Sequence, residues 1–597
     1  MDPRDALHRL FGFADFRPGQ AEAVDAALAD RDALVVMPTG SGKSLCYQLP
    51  ALMRDDLTIV VSPLVALMRD QAFAIHRVAP GAVTMINSQR SHNGNAQAMA
   101  RVRNGEVHLL YVAPERFASP AFARTLATAN VGLFVVDEAH CVSQWGHDFR
   151  PDYFFLADAA QRVGARATIA LTATATPQVA RDIAARLRLR DPVSVTTGFD
   201  RPNLSFAVVR CGGARDKEQR LVAALGDPDA RPAIIYAGTR SATEKLAATL
   251  AGALDCGVVA YHAGMAAEAR GDAQEAFMSG RAQVIVATNA FGMGIDKADV
   301  RTVCHAAVPS SLEGYYQEAG RAGRDGEPAR CLLFAEAKDK GLHVFFIQRS
   351  RLSPEAFERV GERLTWAGCD GTYDVAMAEL AGLAGERGRG DDDAVRALLG
   401  HLARAGVIAP APAPPDRAVG RLTGGWDRRA AGLCLSSARE AERVRWNQYR
   451  SVWAYVEGDE CRRRGLLAHF GDESAGTPEV PCCDVCDPSL VPAPSGRAAR
   501  PVAAGGAPAH GGSGGDLDSA IVDIVVSARP PVGRTRAVEI LRGGRSKVVA
   551  QYAYDGLDGY GSFAHLRSEE VLGRVDELLA AGRLRSTGGR FPKLAVA

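Results

Sequence analysis

The sequence predicts an α/β protein of several domains: two successive lobes built on parallel sheets, then a mainly helical module, then a small C-terminal winged helix. The length of 597 residues suits about four domains of ordinary size. Short, fully apolar runs alternate with helix-like stretches through the first half, a pattern typical of strands covered on both faces. Near the C-terminus, amphipathic stretches precede two short runs on either side of Gly588-Gly589, which predicts helices followed by a hairpin.

Composition narrows the class of protein. Apolar residues make up 47% and charged residues 23%, as in soluble globular proteins. No apolar run approaches the ~18 residues of a membrane span, and the polar start at Met1 to Asp5 does not resemble a signal peptide. We therefore expect a cytoplasmic protein. The net charge of +1 neither supports nor excludes nucleic acid, because a groove can be positive on a neutral protein.

The strongest local pattern lies at Met37-Pro38-Thr39-Gly40-Ser41-Gly42-Lys43-Ser44, directly after the apolar run 33–36. A strand that turns through glycines into a helix directs main-chain N–H groups and a helix dipole at one point, beside a lysine. Such a loop binds phosphate. The P-loop pattern requires Gly where this chain has Met37, so the stretch alone could also be a structural turn.

Carboxylates follow another predicted strand. The apolar runs 58–61, 108–112, 133–136 and 168–171 predict further strands of the first lobe, and Asp137-Glu138-Ala139-His140 follows the third of these. Function gathers at the carboxyl ends of parallel strands. We expect Asp137 to bind Mg²⁺ and Glu138 to orient an attacking water. A solvated turn is the alternative.

Two further stretches suggest contacts to bases. In Phe16-Arg17-Pro18-Gly19-Gln20, the Gln20 amide can both donate to and accept from an adenine edge, and Arg17 can lie flat on a ring. The segment 141–153 is dense in aromatic, His and Arg residues, which stack on unpaired bases regardless of sequence.

Taken together, these motifs resemble the RecQ family of superfamily 2 DNA helicases, in which Met at the first P-loop position is usual. The resemblance implies two RecA-like lobes, at 1–205 and 206–340, with ATP and Mg²⁺ as cofactors. It implies that ATP binds to Arg17, Gln20, Asp137 and the loop residues Thr39 to Ser44. It also implies that the aromatic-rich loop binds DNA, and we select Ser143, Trp145, His147, Phe149 and Arg150 for this role.

In the second lobe, the runs 233–236, 258–261, 284–287 and 302–303 predict strands without a second Lys loop. Arg321 and Arg324 lie in a Gly-rich frame that matches the family's last helicase motif. We expect them to share a face at the start of a helix and to reach a γ-phosphate from the facing lobe. The resemblance assigns the arginine-finger role first to Arg324 and then to Arg321.

A cysteine group lies in the module expected at 341–490. Cys461 is followed by Cys482, Cys483 and Cys486, and thiols at this spacing in a reducing compartment favour zinc over disulfides. The family's first cysteine of the last three would fall at Val480. We therefore expect Cys482 to take its place, with His469 in reserve, although adjacent ligands are sterically awkward.

Three segments remain. Residues of about 370–415 exceed the family's zinc module, and helix, helix, Gly and strand patterns predict an inserted helix-turn-helix or winged segment with either a packing or a DNA-binding role. Residues 491–515 predict a flexible linker. Residues 516–597 resemble the family's winged-helix DNA-binding domain, with the wing as a wedge, and no residues are left for an HRDC domain.

The sequence thus favours an ATP-dependent DNA helicase of 3′-5′ polarity that acts in DNA repair and recombination. The resemblance implies single-stranded and duplex DNA as partners, with a single-stranded DNA-binding protein as a candidate partner, and a location at the bacterial nucleoid. A DNA-binding or annealing factor switched by ATP and an RNA remodelling enzyme are the alternatives.

Overall fold

The computed structural model describes residues 2–596 except 64, 88–90, 119, 144–152, 154, 293–296, 368–369, 386–391, 412, 415, 475, 494–516, 545, 553, 565, 567 and 588–591. The described chain divides into two compact units, Met1–Gly496 and Arg497–Ala597. The linker expected at 491–515 lies almost wholly outside the described residues.

The first lobe is a seven-stranded sheet, all of whose described pairings are parallel, in the order β3-β4-β2-β5-β6-β1-β7. Its strands are β1 Ala33–Val36, β2 Leu57–Val61, β3 Val83–Ile86, β4 Leu109–Val112, β5 Val131–Val136, β6 Ala167–Thr172 and β7 Val193–Thr196. Its helices are α1 Pro3–Phe11, α2 Gln20–Leu28, α3 Leu45–Met53, α4 Val65–Val78, α5 His92–Arg103, α6 Pro120–Ala127, α7 Leu156–Arg162 and α8 Pro177–Arg186. Two separate apolar clusters cover the sheet, which explains why its central strands are buried at nearly every position.

The second lobe repeats this design with six parallel strands in the order β10-β11-β9-β12-β13-β8. The strands are β8 Leu204–Arg210, β9 Ala233–Tyr236, β10 Val258–Tyr261, β11 Val284–Ala287, β12 Thr302–His305 and β13 Ala329–Ala335. The helices are α9 Ala214–Leu225, α10 Arg240–Ala253, α11 Ala267–Met278, α12 Leu312–Ala319 and α13 Ala337–Arg349. The predicted fold class of two parallel-sheet lobes is confirmed.

A small module follows the second lobe. Its elements are α14 Pro354–Ala367, β14 Thr372–Ala376, α15 Met377–Ala384, α16 Asp392–Arg404, β15 Ile408–Ala411 and β16 Arg417–Leu422. The strands form an antiparallel sheet in the order β14-β16-β15 over a core of its own. This is the element order of a winged helix, and we call residues 354–422 the inserted module. Residues 409–415 are rich in proline, but β15 continues through Pro410 and pairs there with β16.

Two helices complete the first unit: α17 Arg428–Glu457, which is 30 residues long, and α18 Arg462–His469. The second unit consists of α19 Leu517–Ser527, α20 Arg534–Leu541, α21 Lys547–Gln551, α22 Ser568–Ala580, β17 Leu584–Ser586 and β18 Leu594–Val596. Its helices pack on one apolar core and its strands pair as an antiparallel hairpin, so the predicted winged helix is confirmed.

Candidate active site

The predicted phosphate loop joins β1 to α3. Gly40 and Gly42 adopt left-handed φ angles of 83° and 80°, which only glycine takes readily. A Cβ atom on Gly42 would lie 2.6 Å from the Gln20 side-chain nitrogen. Ser44 is the last residue before α3. The structure therefore shows the strand, loop and helix arrangement that the sequence predicted.

Lys43 and the two carboxylates lie together. The Lys43 Nζ atom donates to the main-chain oxygens of Met37 at 2.9 Å and Pro38 at 3.1 Å. Burial lowers the pKa of Lys43, and the negative charges of Glu138 and Asp137 oppose that effect. Burial and the charge of Glu138 raise the pKa of Asp137 to about 7, while Lys43 lowers it. These carboxylates offer hard oxygen ligands of the kind Mg²⁺ prefers.

Glu138 has a left-handed φ of 50°, which is uncommon for a residue with a side chain. Its Oε2 atom lies 3.3 Å from Nδ1 of the fully buried His140. The same His140 nitrogen lies 3.0 Å from Oγ1 of Thr172, the last residue of β6. His140 thus connects the carboxylates after β5 to the neighbouring strand end, a link that the sequence did not predict.

Arg324 faces the phosphate loop from the second lobe. A Cβ atom on Gly40 would lie 3.7 Å from Arg324 Cγ, and the positive charge of Arg324 lowers the pKa of Lys43. The cleft between the lobes has a volume of about 350 Å³ and is lined on one side by Arg17 and the loop and on the other by Arg324.

Arg321 occupies a different environment. It is buried in the second lobe beside Tyr236, and a Cβ on Gly292 would come 2.9 Å from its Nη2 atom. Burial raises the pKa of Tyr236 to about 12, and the positive charge of Arg321 opposes that rise. The expectation that the two arginines share a face at the start of a helix is wrong. Both follow α12, because Gly320 and the left-handed Gly323 belong to the turns after it.

Direct hydrogen bonds join the lobes at this cleft. Thr39 Oγ1 donates to the Gly320 oxygen at 3.0 Å. Arg201, which follows β7, donates through Nη1 to the oxygens of Thr39 and Gly320, at 3.0 and 3.1 Å. Its Nη2 atom donates to the oxygens of Ala322 and Gly323, both at 3.1 Å. Sequence reasoning missed Arg201.

The two predicted adenine-binding residues contact the phosphate loop itself. Arg17 Nη1 donates to the Gly40 oxygen at 2.7 Å. The Gln20 Nε2 atom donates to the oxygens of Ser41 and Gly42 at 3.0 and 3.1 Å, and its Oε1 atom accepts from the Arg17 main-chain N–H at 2.9 Å. Both side chains therefore hold the loop at the cleft, and their contacts with adenine stay a prediction.

Of the five residues selected for DNA contact, the structure describes Ser143 alone. Its side chain is buried and its Oγ donates to the Asp182 carboxylate on α8 at 2.7 Å. Trp145, His147, Phe149 and Arg150 lie outside the described residues. Ser143 thus anchors the start of the aromatic-rich segment to the first lobe.

The four predicted cysteines converge. The Sγ atom of Cys461 lies 3.6 Å from that of Cys482 and 3.8 Å from that of Cys483, which lies 3.6 Å from Cys486. Tetrahedral zinc bound by four thiolates separates the sulfur atoms by about 3.8 Å. The cysteine set Cys461, Cys482, Cys483 and Cys486 therefore fits zinc.

His469, the alternative zinc ligand, does not join the cysteine group. Its Nε2 atom instead lies 2.9 Å from a Glu313 carboxylate oxygen. The adjacent cysteines converge because Cys482 and Asp484 hydrogen-bond with Phe206 of β8, on either side of Cys483. The main chain then turns and brings Cys486 back to the group. The zinc module is in this way attached to the second lobe.

These features define a two-lobed architecture of the helicase type, with a phosphate-loop motif in the first lobe that faces the second lobe across a cleft. Residues 17–183 match the DEAD/DEAH box helicase model and residues 216–326 match the helicase conserved C-terminal domain. Residues 427–487 match the RecQ zinc-binding model and residues 518–597 match the RQC domain. Within the described residues, none of the helices combines the length and apolar character that a membrane span requires.

The chain belongs to the RecQ family. It is 30% identical over 485 residues to a probable ATP-dependent DNA helicase RecS of Bacillus subtilis, covering 81% of this chain and 91% of that protein. It is 41% identical over 362 residues to the ATP-dependent DNA helicase RecQ of Pasteurella multocida, covering 60% of this chain. That match spans 56% of the Pasteurella protein, so the chain matches little more than half of that relative's length.

Proposed function

We propose that the protein is an ATP-dependent DNA helicase that moves along DNA with 3′-5′ polarity and acts in DNA repair and recombination. The observation that carries the proposal is the approach of Arg324 in one lobe to Lys43 in the other, beside the carboxylates Asp137 and Glu138. Phosphoryl transfer needs a lysine loop, a metal-binding carboxylate and a cation that stabilises the transition state.

The proposed roles follow from these positions. The Lys43 ammonium and the main-chain N–H groups of the loop bind the phosphates, and Ser44 with Asp137 would hold Mg²⁺, which neutralises phosphate charge when bound. Glu138 orients the attacking water, and Arg324 stabilises the charge that develops on the γ-phosphate. Arg321, deeper in the second lobe, takes the second finger position.

Coupling to movement follows from the bonds between the lobes. Thr39 and Arg201 join the phosphate loop to the turn that carries Arg324, so a change at the phosphates alters the contact between the lobes. Closure and release of the lobes would move the strand contacts on each lobe alternately. The aromatic-rich loop and the C-terminal winged helix are the proposed contacts to single-stranded and duplex DNA, and a single-stranded DNA-binding protein at the nucleoid is the proposed protein partner.

Strand displacement tests the proposal. Purified protein is mixed with 3′-tailed DNA, 5′-tailed DNA and 3′-tailed RNA duplexes, with and without ATP and Mg²⁺. We expect displacement from 3′-tailed DNA only, and only with ATP. Displacement of RNA alone indicates an RNA remodelling enzyme, and ATP-dependent binding without displacement indicates an annealing or switch protein; either result overturns the proposal.

A further inference from the structure

The inserted module has the element order of a winged helix, but the helix that such modules place in a DNA groove is covered. One face of α16 buries Val395, Leu398 and Leu402 in the core of the module. The other side packs on α17, where His401 Nδ1 lies 2.8 Å from Ser437 Oγ. Any ligand of the module must therefore bind elsewhere than on an exposed α16.

A cavity of about 680 Å³ lies where the inserted module meets α13 and α17. A second cleft, of about 650 Å³, lies at the carboxyl ends of the second-lobe strands and includes Thr239, Arg240 and Thr288. Phe346 and His343 of α13 line both spaces. The cleft and the cavity therefore meet at α13, and the polar residues at the second-lobe strand ends open toward the inserted module.

The cavity carries positive charge that its own residues do not neutralise. Arg439 and Arg445 of α17 line it, and Arg445 Nε has no hydrogen-bond partner among the described residues. Glu442, the acidic residue in the lining, is already paired with Arg351. Glu442 offsets part of the Arg445 charge, but the buried Arg445 Nε donor has no acceptor among the described residues. A buried donor without an acceptor is costly, and an anionic oxygen would satisfy it.

A third arginine, Arg404, adds to this charge from behind the cavity. Arg404 Nε and Nη2 also lack hydrogen-bond partners among the described residues. Burial and the positive charges of Arg404 and Arg445 lower the pKa of His401, which lines the cavity, to about 4. His401 is therefore neutral near neutral pH, and the positive potential comes from the arginines.

The junction offers an aromatic surface. Phe346 is 49% exposed and lies where the two spaces meet, whereas its neighbour Phe345 is 52% exposed but lines neither. Exposed aromatic rings beside a cationic groove are how proteins bind single strands without regard to sequence, because bases stack while phosphates meet positive charge. A small inorganic anion would need the arginines but not the ring.

We propose that single-stranded DNA leaves the second-lobe cleft over Phe346, stacks a base there, and enters the cavity beneath the inserted module, where Arg445 and Arg439 hold its phosphates. The inference rests on the proposed function, and it gives the inserted module a part in holding the strand on which the motor acts.

Two variants, each paired with a control variant on the same helix, test this proposal. Binding of a length series of labelled oligothymidylates is measured for wild type, Phe346→Ala and Arg445→Ala. The controls are Phe345→Ala, adjacent on α13, and Arg443→Ala, whose exposed side chain pairs with Glu440. We expect Phe346→Ala to weaken binding of long oligonucleotides about tenfold and leave short ones unchanged. Arg445→Ala should lower the salt-dependence slope by about 0.7.

Wild-type strand displacement separates the two proposals. If wild type displaces strands but Phe346→Ala and Arg445→Ala bind long DNA as tightly as Phe345→Ala and Arg443→Ala, the inferred path is wrong and the helicase function stands. If wild type displaces nothing, the proposed function itself fails. Loss of inorganic phosphate binding in Arg445→Ala without any effect of Phe346→Ala identifies a small-anion site and overturns the inference.

A photo-cross-linking experiment tests the same path even if an alanine variant folds poorly. Phe346→p-benzoylphenylalanine preserves an aromatic ring and is expected to cross-link single-stranded DNA under ultraviolet light, whereas the same substitution at Phe345 is expected to give much less product. Equal cross-linking at both positions contradicts a specific path over Phe346.

Discussion

Arg201 offers a quantitative test of how the two lobes communicate. Its guanidinium group donates four hydrogen bonds, one to Thr39 of the phosphate loop and three to Gly320, Ala322 and Gly323 of the turn that carries the proposed arginine finger. Its side chain is mostly buried, so burial lowers the pKa of Arg201 from its usual value. Truncation would leave four main-chain oxygens without this donor.

The expected size of the effect follows from these bonds. A hydrogen bond from a charged donor contributes about 1.5–3 kcal/mol. The bond to Thr39 holds the phosphate loop directly, so Arg201→Ala should raise the barrier to hydrolysis by about that amount, which corresponds to a fall in kcat of about 10- to 150-fold. The bonds to the other lobe position Arg324, and their loss acts in the same direction. ATP binding should change much less, because Lys43 and the loop remain.

The assay is steady-state ATP hydrolysis with single-stranded DNA, together with ATP affinity measured separately. Arg201→Lys should fall between wild type and Arg201→Ala, because one ammonium group cannot reach four oxygens in a fixed plane. Arg210→Ala is the control, since Arg210 is 59% exposed and its bonds go to the end of α17. Wild-type kcat in Arg201→Ala would refute the reasoning.

Three further results are expected. Gly320→Ala should slow hydrolysis, because its Cβ would lie 2.3 Å from Thr39 Oγ1, and adding Thr39→Ala should restore part of the loss in an ATPase assay. Cys482→Ala should lower zinc per chain, measured by atomic emission, whereas His469→Ala should not, since His469 pairs with Glu313. The lowered pKa of His401, about 4 against its usual 6.5, favours the neutral form in the folded state. The folded state therefore keeps its full stability above about pH 6.5 and loses stability as the pH falls toward 4, because the unfolded state binds a proton there more readily. The urea midpoint of His401→Gln should fall less over this range than that of wild type.

Most central strands were predictable because they are buried on both faces, although the central strand β13 is absent from the predicted runs. The run 33–36 is buried at all four positions and forms β1 with the predicted bounds. The edge strand β7 escaped prediction because only Val195 of its four residues is buried, so it lacks an apolar run. The same pattern would suit a surface loop.

Site residues were predictable where they belong to a local sequence motif. They were not predictable where their role depends on contacts with residues distant in sequence. Lys43, Asp137 and Glu138 stand at strand ends with a recognisable motif. Arg201 donates to main-chain oxygens of residues that lie far away in sequence. Main-chain partners leave no side-chain pattern from which the contact could be predicted. The environment of Arg321 depends on its close approach to Gly292, which the spacing of two arginines does not encode.

The most direct test of the account is strand displacement from 3′-tailed duplex DNA by wild type and Arg324→Ala, with ATP binding measured for both. We predict that wild type separates the strands with ATP and Mg²⁺, and that Arg324→Ala binds ATP normally but hydrolyses it at least about a thousandfold more slowly and separates none. Displacement by Arg324→Ala at the wild-type rate would contradict a motor whose second lobe completes the active site of the first.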